Sequence, residues 1–163
     1  GPAVDKGVRD QMKKGVIAGC QVVDVKVSLV DGKTHEVDSK DIAFQIAGRQ
    51  VFKKAFVQCK PILLEPVVTI EVTVPAQYVG DIQRDLAGKR GQITGQDILP
   101  GGQTVIRGTV PLAEVASYAS QLKSVTGGQG SYMLEFSHYD VVPPNVQQQI
   151  AAAYQAQQHP EEE

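Results

Sequence analysis

The sequence has no tryptophan, only two cysteines and only three histidines among its 163 residues. Aromatic residues make up 6% of the chain, which does not favour a surface on which nucleic-acid bases stack. Cys20 and Cys59 have neither CxxC spacing nor a nearby histidine, so the roughly four nitrogen or sulfur ligands that zinc needs are missing. We therefore expect no metal site, and we expect both cysteines to be buried, reduced thiols.

Several other signals are also missing. No apolar run approaches the roughly 20 residues that span a bilayer, and no basic-then-apolar secretory leader is present. The chain has no GxxxxGK[ST] phosphate loop, no GxSxG elbow and no HExxH motif. His35 and His138 could be combined on paper with serine and aspartate, but catalysis needs a geometry that such a list does not supply, and His159 belongs to the predicted frayed tail. The glycine-rich stretches 88–91 and 127–130 follow predicted helices, which indicates helix caps and not phosphate cradles.

The charge is distributed unevenly along the chain. The net charge is −2, yet residues 1–60 carry 11 Lys and Arg against 7 Asp and Glu, whereas residues 61–163 carry 5 against 11. An asymmetry of this kind is typical of a protein whose basic part meets a polyanion, although a solvated surface gives the same counts. Lys33, Lys40, Lys53 and Lys54 therefore have two interpretations, as phosphate contacts or as ordinary surface lysines.

The first lobe, residues 1–64, has patterns for two helices and one strand. Apolar residues at helical spacing predict a helix over 3–14 that ends at Gly15. Residues 21–30 alternate as a strand of an α/β lobe with a mixed sheet. The apolar face of that strand would carry Val23, Val25, Val27 and Leu29. The Asp31-Gly32 turn follows, and then a helix whose predicted buried face holds Phe44, Ala47, Gly48, Val51 and Ala55. Because one strand cannot satisfy its own edges, we expect another chain, or another part of the protein, to complete this lobe.

The second lobe, residues 65–142, reads strand, helix, strand, strand, helix, strand. The strands are predicted at 67–74, 92–99, 103–111 and 131–142, and the helices at 76–91 and 112–128. This order is the ferredoxin-like split βαβ arrangement, and Tyr132, Leu134 and Phe136 share one face of its last strand. Residues 143–163 predict a C-terminal helix capped by Asn145 and a frayed tail at 157–163. The fold class is therefore α+β in two lobes.

Long blocks of the chain resemble the C-terminal part of bacterial elongation factor G, a translational GTPase. The blocks are DGKTHEVDS, LLEP, YVGDIQRDLAGKRGQI, VPLAEVASYASQL and GGQGSYMLEFSHYDVVP, and they occur in the family's order up to about residue 150. The resemblance implies that residues 1–64 are the second part of the family's domain IV and that 65–142 are its domain V. It also implies that the helix after Asn145 packs back onto the first lobe.

The resemblance implies roles for two groups of residues. The loop that contains Asp31, Gly32, Lys33 and His35 corresponds to the domain IV tip, which contacts A-site tRNA and mRNA and small-subunit RNA on the ribosome. The family's domain V contacts large-subunit RNA, and Arg84, Lys89 and Arg90 are candidates for that contact; the alternative is that they only decorate a helix end. On this interpretation His35 is a tip residue that faces RNA, and the sequence offers no catalytic residue.

The resemblance further implies that GTP and magnesium belong to the parent protein. For this chain we expect no cofactor, no GTPase activity and a cytoplasmic location with no membrane contact. Ribosomal protection and ribosome recycling factors share the same architecture and remain alternatives to translocation. A third alternative is an interaction module that pairs its incomplete sheet with a partner or, as a homodimer, with a second copy.

Overall fold

The computed structural model of this protein describes residues 1–33 and 40–158. The helices are α1 (Pro2–Lys14), α2 (Asp41–Gln58), α3 (Val79–Gly88), α4 (Tyr118–Thr126) and α5 (Pro144–Gln158), and the strands are β1 (Leu64–Pro75), β2 (Gln92–Leu99), β3 (Gln103–Pro111) and β4 (Ser131–Val141). The chain divides into two compact units, one formed by Gly1–Leu63 with Pro143–Glu163 and the other by Leu64–Val142. The α+β fold class is confirmed, and the division falls one residue before the predicted boundary.

The second unit is a four-stranded antiparallel sheet in the order β2-β3-β1-β4, with α3 and α4 on one face. This confirms the predicted ferredoxin-like arrangement. Alternate residues of β1 point into the core, and Ile70, Val72 and Val74 are fully buried there together with Ile82 of α3 and Ile106 of β3. Burying one such side chain contributes about 1.5–3 kcal/mol, so this core is the main source of stability of the unit.

The predicted inward face of β4 is only partly correct. Tyr132 packs on the core, and its ring meets Tyr118 edge-on with the centroids 5.0 Å apart. Leu134 and Phe136, however, remain 37% and 57% exposed. β4 lies at the edge of the sheet and has a neighbouring strand on one side only, so its side chains are covered less than those of β1.

The first unit is built on a close contact between α1 and α2. A Cβ atom at Gly7 would overlap the carbonyl oxygen of Gln45, and one at Gly48 would lie 2.7 Å from the carbonyl oxygen of Val4. Gly48 thus permits the two helices to pack closely. A small core of Val8, Val22 and Phe52 adjoins this contact.

The predicted buried face of α2 is wrong in most positions. Gln45, Gly48 and Phe52 are the buried residues of this helix, while Val51 is 65% exposed. Ala47 and Ala55 are exposed as well, and Phe44 is half-buried. Because α2 contacts α1 at Gly48, the side of α2 that carries residues 45, 48 and 52 faces α1. The described residues of this unit contain no sheet against which the predicted face could pack.

The predicted strand over residues 21–30 does not form, and the described residues of this unit therefore contain no mixed sheet. Val23, Val27 and Leu29 are 56%, 51% and 58% exposed, so the alternating apolar face stays open. A strand needs a partner for its N–H and C=O groups, and none is present in residues 1–33 or 40–63. Asp24 also has a φ of 58°, which interrupts the extended backbone.

Two further predictions need correction. Cys20 and Cys59 are exposed, because one lies in the loop after α1 and the other at the end of α2. α5 begins at Pro144 and not after an Asn145 cap, and it continues to Gln158, so the first two residues of the predicted frayed tail are helical; residues 159–163 lie outside the described residues.

The side chain of Gln147 attaches α5 to the rest of its unit. Its Oε1 accepts a hydrogen bond from the Leu63 backbone N–H at 3.1 Å, and its Nε2 donates to the Pro61 carbonyl at 3.1 Å. No helix in the described part of the chain is both long and apolar enough to cross a membrane.

Candidate nucleic-acid interface

Three of the four predicted tip residues lie in the described part of the chain. Asp31, Gly32 and Lys33 are all exposed, and the Gly32 backbone N–H donates to Asp31 Oδ1 at 2.8 Å. This hydrogen bond joins two neighbouring residues, and Lys33 follows directly. Residues 31–33 themselves form no turn, so the turn predicted at Asp31-Gly32 stays a prediction. His35 lies outside the described residues, and its predicted role as a tip residue that faces RNA stays a prediction.

The three cations predicted to meet large-subunit RNA lie in the second half of α3 or just after it, but they differ in exposure. The Arg84 side chain is 82% exposed and has a loose pair with Asp81, with Nη1 and Oδ1 3.4 Å apart. The Lys89 side chain is only 15% exposed, and its Nζ donates to Asp85 Oδ1 at 2.7 Å. Arg84 is therefore the one that a phosphate could reach without displacing a well-formed ion pair.

Arg90 is held between two carboxylates. Its Nη1 and Nη2 donate to the two oxygens of Glu65 at 2.6 and 3.0 Å, and its Nε donates to Glu114 Oε1 at 3.1 Å. The hydrogen bonds to Glu65 raise the pKa of Arg90 well above its ordinary value, against the opposing effect of burial. Such a bidentate pair is among the stronger ionic contacts in proteins. Arg90 thus joins the turn after α3 to the start of β1 and to the turn before α4.

The sequence does not indicate that Arg90 pairs with Glu65 and Glu114. Glu65 and Glu114 are 25 and 24 positions away from Arg90 in the sequence, and no local pattern connects them. With Asp81 and Asp85 included, four carboxylates face the three cations at this end of the unit. These seven groups therefore carry one negative charge more than positive, although the motif GKRG alone is basic.

In residues 1–63 most of the cations are exposed, unlike Lys89 and Arg90 of the second unit. All nine lysines of residues 1–63 are exposed; they are Lys6, Lys13, Lys14, Lys26, Lys33, Lys40, Lys53, Lys54 and Lys60. The two arginines of this stretch are paired within the unit, Arg9 with Asp5 at 2.8 Å and Arg49 with Asp10 at 3.4 Å. Exposed lysines without an equal number of acids form the electrostatic footprint expected of a surface that meets nucleic acid.

Neither glycine-rich stretch fits a nucleotide phosphate. The Gly91 N–H donates to the Leu86 carbonyl at 2.9 Å, and the Gly128 N–H donates to the Lys123 carbonyl at 2.8 Å. Both stretches therefore end helices, and Gly127 has the left-handed conformation typical of such caps. Their predicted role as caps is confirmed.

Among the described residues, Ser137 is the side chain that contacts His138. His138 is exposed on β4, and its Nδ1 lies 2.9 Å from Ser137 Oγ, with no carboxylate of the described residues hydrogen-bonded to the ring. Within residues 1–33 and 40–158, no three His, Cys, Asp or Glu side chains come together in a way that could hold a metal ion.

Comparison with known proteins gives the same family for both units. The family model described as elongation factor G, domain IV, matches residues 1–60, and the model described as elongation factor G C-terminus matches residues 62–150. An elongation factor G-like protein from Thermotoga maritima is 46% identical over 149 residues, which are 91% of this chain and 22% of that protein. A crystal structure of a protein from Thermus thermophilus has a TM-score of 0.71 and 43% identity, and the match covers 98% of this chain and 24% of that one.

The chain thus spans about a fifth of the length of the Thermotoga relative. The two family models follow each other without overlap and meet at residues 60–62, close to the division of the chain after Leu63. The C-terminus model continues to residue 150, beyond Val142, where the second unit ends. This chain belongs to the elongation factor G family and carries the regions that match the family's domain IV and C-terminus.

Proposed function

We propose that this chain is the ribosome-contacting C-terminal portion of a translation factor of the elongation factor G type. Its first unit contacts A-site tRNA and mRNA and small-subunit RNA through the tip residues Asp31, Gly32, Lys33 and His35. The observation that carries this proposal is the joint match of both units to elongation factor G family models. The nine exposed lysines of residues 1–63 support it, because phosphate contacts supply most of the affinity of a protein for nucleic acid.

The proposed action is physical occupation of the A site and involves no bond chemistry by this chain. GTP and magnesium act in the parent protein, which would work in the cytoplasm where ribosomes are. The two glycine-rich stretches that end helices could not hold a nucleotide phosphate, so we propose that this chain alone does not hydrolyse GTP and takes no cofactor.

In the second unit, we propose that Arg84 makes direct contact with large-subunit RNA. Its side chain is 82% exposed, and its pair with Asp81 is loose. Lys89 and Arg90 contribute in a different way, because both are engaged with carboxylates of the same unit. Arg90 fixes the turn after α3, and Lys89 reaches RNA only after it leaves Asp85.

Co-sedimentation with ribosomes at two salt concentrations tests the proposal. We compare the wild type with a tip variant, Lys33→Ala with His35→Ala, and with a matched control, Lys123→Ala with His138→Ala, which removes the same residue types from exposed positions of the second unit. Loss of one phosphate contact lowers the salt dependence, the slope of log K against log salt, by about 0.7–0.9. The tip variant should show this loss and weaker binding at low salt. Equal binding by the tip and control variants would refute the proposed tip contact.

One observation favours a second candidate function. The open apolar side chains of Val23, Val27 and Leu29 are suited to pairing with a strand of another molecule, either a protein partner or a second copy in a homodimer. Sedimentation velocity over a range of protein concentrations separates the two candidates. A concentration-dependent dimer that does not bind ribosomes would favour an interaction module, whereas ribosome binding by a monomer would favour a translation factor. Recycling and ribosomal protection factors would behave like the translocation factor in this assay.

A further inference from the structure

One aspartate of the chain, Asp31, is followed by a glycine. Asp31 and Gly32 are both exposed, and residues 31–33 belong to no helix or strand. The Gly32 backbone N–H donates to Asp31 Oδ1 at 2.8 Å, so the carboxyl group is folded back onto the nitrogen of the next peptide bond. Two groups held next to each other in this way react far faster than the same groups free in solution.

The surroundings of Gly32 leave room for a reaction between the two groups. A Cβ atom built on Gly32 would meet nothing within 4 Å. Because glycine itself has no Cβ, nothing beside its nitrogen obstructs an approach to the side chain of the preceding residue. The backbone of residues 31–33 is also outside every strand ladder of the described chain, so it is free to rearrange.

Asp140 makes the same local contact in a restrained backbone. The Val141 N–H donates to Asp140 Oδ1, also at 2.8 Å. Asp140 lies in β4, however, where it pairs with Glu65 of β1. Ring closure at Asp140 requires the strand to detach, and the branched Cβ of valine crowds the nitrogen. The two aspartates therefore share the hydrogen bond and differ in the restraint on the backbone.

We propose that Asp31-Gly32 is a site of spontaneous aspartate isomerisation, and that the isomer no longer supports the RNA contact of the tip. The Gly32 nitrogen attacks Cγ of the neutral Asp31 carboxyl group. The N–Cγ bond forms, the nitrogen loses its proton and the carboxyl group loses its hydroxyl, so one water leaves and a cyclic imide remains. Water then hydrolyses the imide. Cleavage between the nitrogen and the former backbone carbonyl gives isoaspartate, and cleavage between the nitrogen and Cγ restores aspartate.

The isomer has the same mass as the original chain but a different backbone. The main chain runs through Cβ and Cγ of residue 31 and is longer by one carbon–carbon bond, about 1.5 Å. The free carboxylate is attached directly to Cα, and Lys33 is displaced relative to residues 21–30. The loss of RNA contact rests on the proposed function, in which Asp31 and Lys33 touch RNA, whereas the isomerisation itself does not.

The first part of the test measures the chemistry and needs no ribosome. Folded protein and protein unfolded in guanidinium chloride are kept at neutral pH for several weeks. Isoaspartate is then counted in tryptic peptides by methylation with protein isoaspartyl methyltransferase. Peptide 27–33 contains Asp31, and peptide 124–163 contains Asp140. Deamidation of Asn145 in the second peptide is recognised separately, because it changes the mass and isomerisation does not.

We expect folding to protect Asp140 and not Asp31. Asp31 should isomerise about as fast in the folded as in the unfolded protein, whereas folding should slow Asp140 at least about tenfold. In Gly32→Ala the reaction should be at least about fivefold slower, because the new Cβ crowds the attacking nitrogen. The inference is overturned if peptide 27–33 contains no isoaspartate, if folding protects Asp31 tenfold, or if Gly32→Ala reacts as fast as the wild type.

The second part compares the co-sedimentation of fresh and aged protein with ribosomes, and each protein is its own reference. Once isoaspartate is the larger form at residue 31, the salt dependence of wild-type binding should fall by about 0.7–0.9, the loss expected for one phosphate contact. Aged Gly32→Ala should bind as fresh Gly32→Ala does, which controls for other damage. The methyltransferase with S-adenosylmethionine returns isoaspartate to aspartate and should restore binding by the aged wild type.

The outcomes separate this inference from the proposed function. Equal binding by fresh and aged wild type would overturn the effect of the isomer on RNA contact but not the proposed function. Isoaspartate in peptide 27–33 without ribosome binding by the fresh wild type would overturn the proposed function and the RNA step, and would leave Asp31-Gly32 as a modification site.

Discussion

Replacing Arg90 with methionine should destabilise the second unit by about 2–3 kcal/mol, which lies between typical values for exposed and buried ion pairs. The Arg90 side chain is 29% exposed and that of Glu65 is 12% exposed, so the pair is neither at the surface nor fully buried. Exposed pairs contribute about 0–1 kcal/mol, whereas removal of one partner of a buried pair costs about 3–5 kcal/mol. The bidentate geometry and the third hydrogen bond to Glu114 favour the upper part of the interval between them.

The backbone does not complicate this substitution. Arg90 has a φ of 59°, in the left-handed region, and methionine and arginine both carry a Cβ atom that is disfavoured there. The strain is therefore present in both proteins and cancels from the difference. The measured loss consequently reports the ion pairs and the Glu65 carboxylate that is left without a partner.

Urea unfolding followed by tyrosine fluorescence measures this effect. The chain has no tryptophan, and four of its five tyrosines, at positions 78, 118, 132 and 139, lie in the second unit. Arg84→Met is the matched control. Its pair with Asp81 is 3.4 Å long and mostly exposed, so we expect a loss below about 0.5 kcal/mol.

Two outcomes would contradict the reasoning. Equal losses in Arg90→Met and Arg84→Met would show that burial of Glu65 does not matter, and a loss below about 0.5 kcal/mol in Arg90→Met would place the pair in the exposed class. A second substitution sharpens the test. Adding Glu65→Met to Arg90→Met should recover part of the stability, because no charge then remains unpaired in a largely buried position.

Other parts of the chain give three more expected outcomes. Gly48→Ala should destabilise the first unit by about 1–3 kcal/mol, because the new methyl group would overlap a backbone oxygen of α1. Gly32→Ala meets open space and should have little effect, and amide hydrogen exchange in α1 and α2 measures both variants. Burial raises the pKa of the Tyr118 hydroxyl, so the folded state holds this proton more tightly than the unfolded state. The resulting contribution to the free energy of unfolding is fully present below the ordinary tyrosine pKa of about 10 and is lost as the pH rises above it. Urea unfolding from pH 9 to 11 should therefore show a steeper loss of stability in the wild type than in Tyr118→Phe. Cys20 and Cys59 are both exposed. The folded protein should therefore release two equivalents of chromophore from Ellman's reagent as fast as the urea-unfolded protein does. Slow reaction of either thiol would contradict the structure.

Sequence pattern predicts a strand correctly where the rest of the sheet is present. Residues 67–74 and residues 21–30 alternate in the same way, yet only the first stretch forms a strand. β1 has β3 on one side and β4 on the other, and its alternate residues are covered by α3 and α4. The second stretch has the pattern without a partner in the described residues. Alternation indicates which side of a strand can be buried, and it carries no information on whether hydrogen-bond partners are available.

The buried face of α2 shows a related difficulty. Its apolar residues are spread around the helix, so spacing alone supports more than one face, and the sequence favours the one with Phe44, Val51 and three small residues. The close approach of Gly7 to the Gln45 backbone and of Gly48 to the Val4 backbone selects another face, because backbone contact brings the helices nearer than side chains would allow. A glycine inside a helix indicates that a close contact exists, but the orientation is decided by the partner helix.

The candidate site illustrates why charged motifs are hard to interpret in sequence. Lys53-Lys54 and Lys89-Arg90 are both pairs of adjacent cations, and the sequence gives no reason to treat them differently. In the structure both lysines of the first pair are exposed, whereas Lys89 and Arg90 donate to three carboxylates, two of which come from distant segments. Phosphate affinity depends on the charge that remains after such internal pairs are formed, because a paired cation must first give up its carboxylate. Under the proposed function, most of the affinity for RNA should therefore reside in residues 1–63, and the second unit should contribute through Arg84 and through the turn that Arg90 fixes.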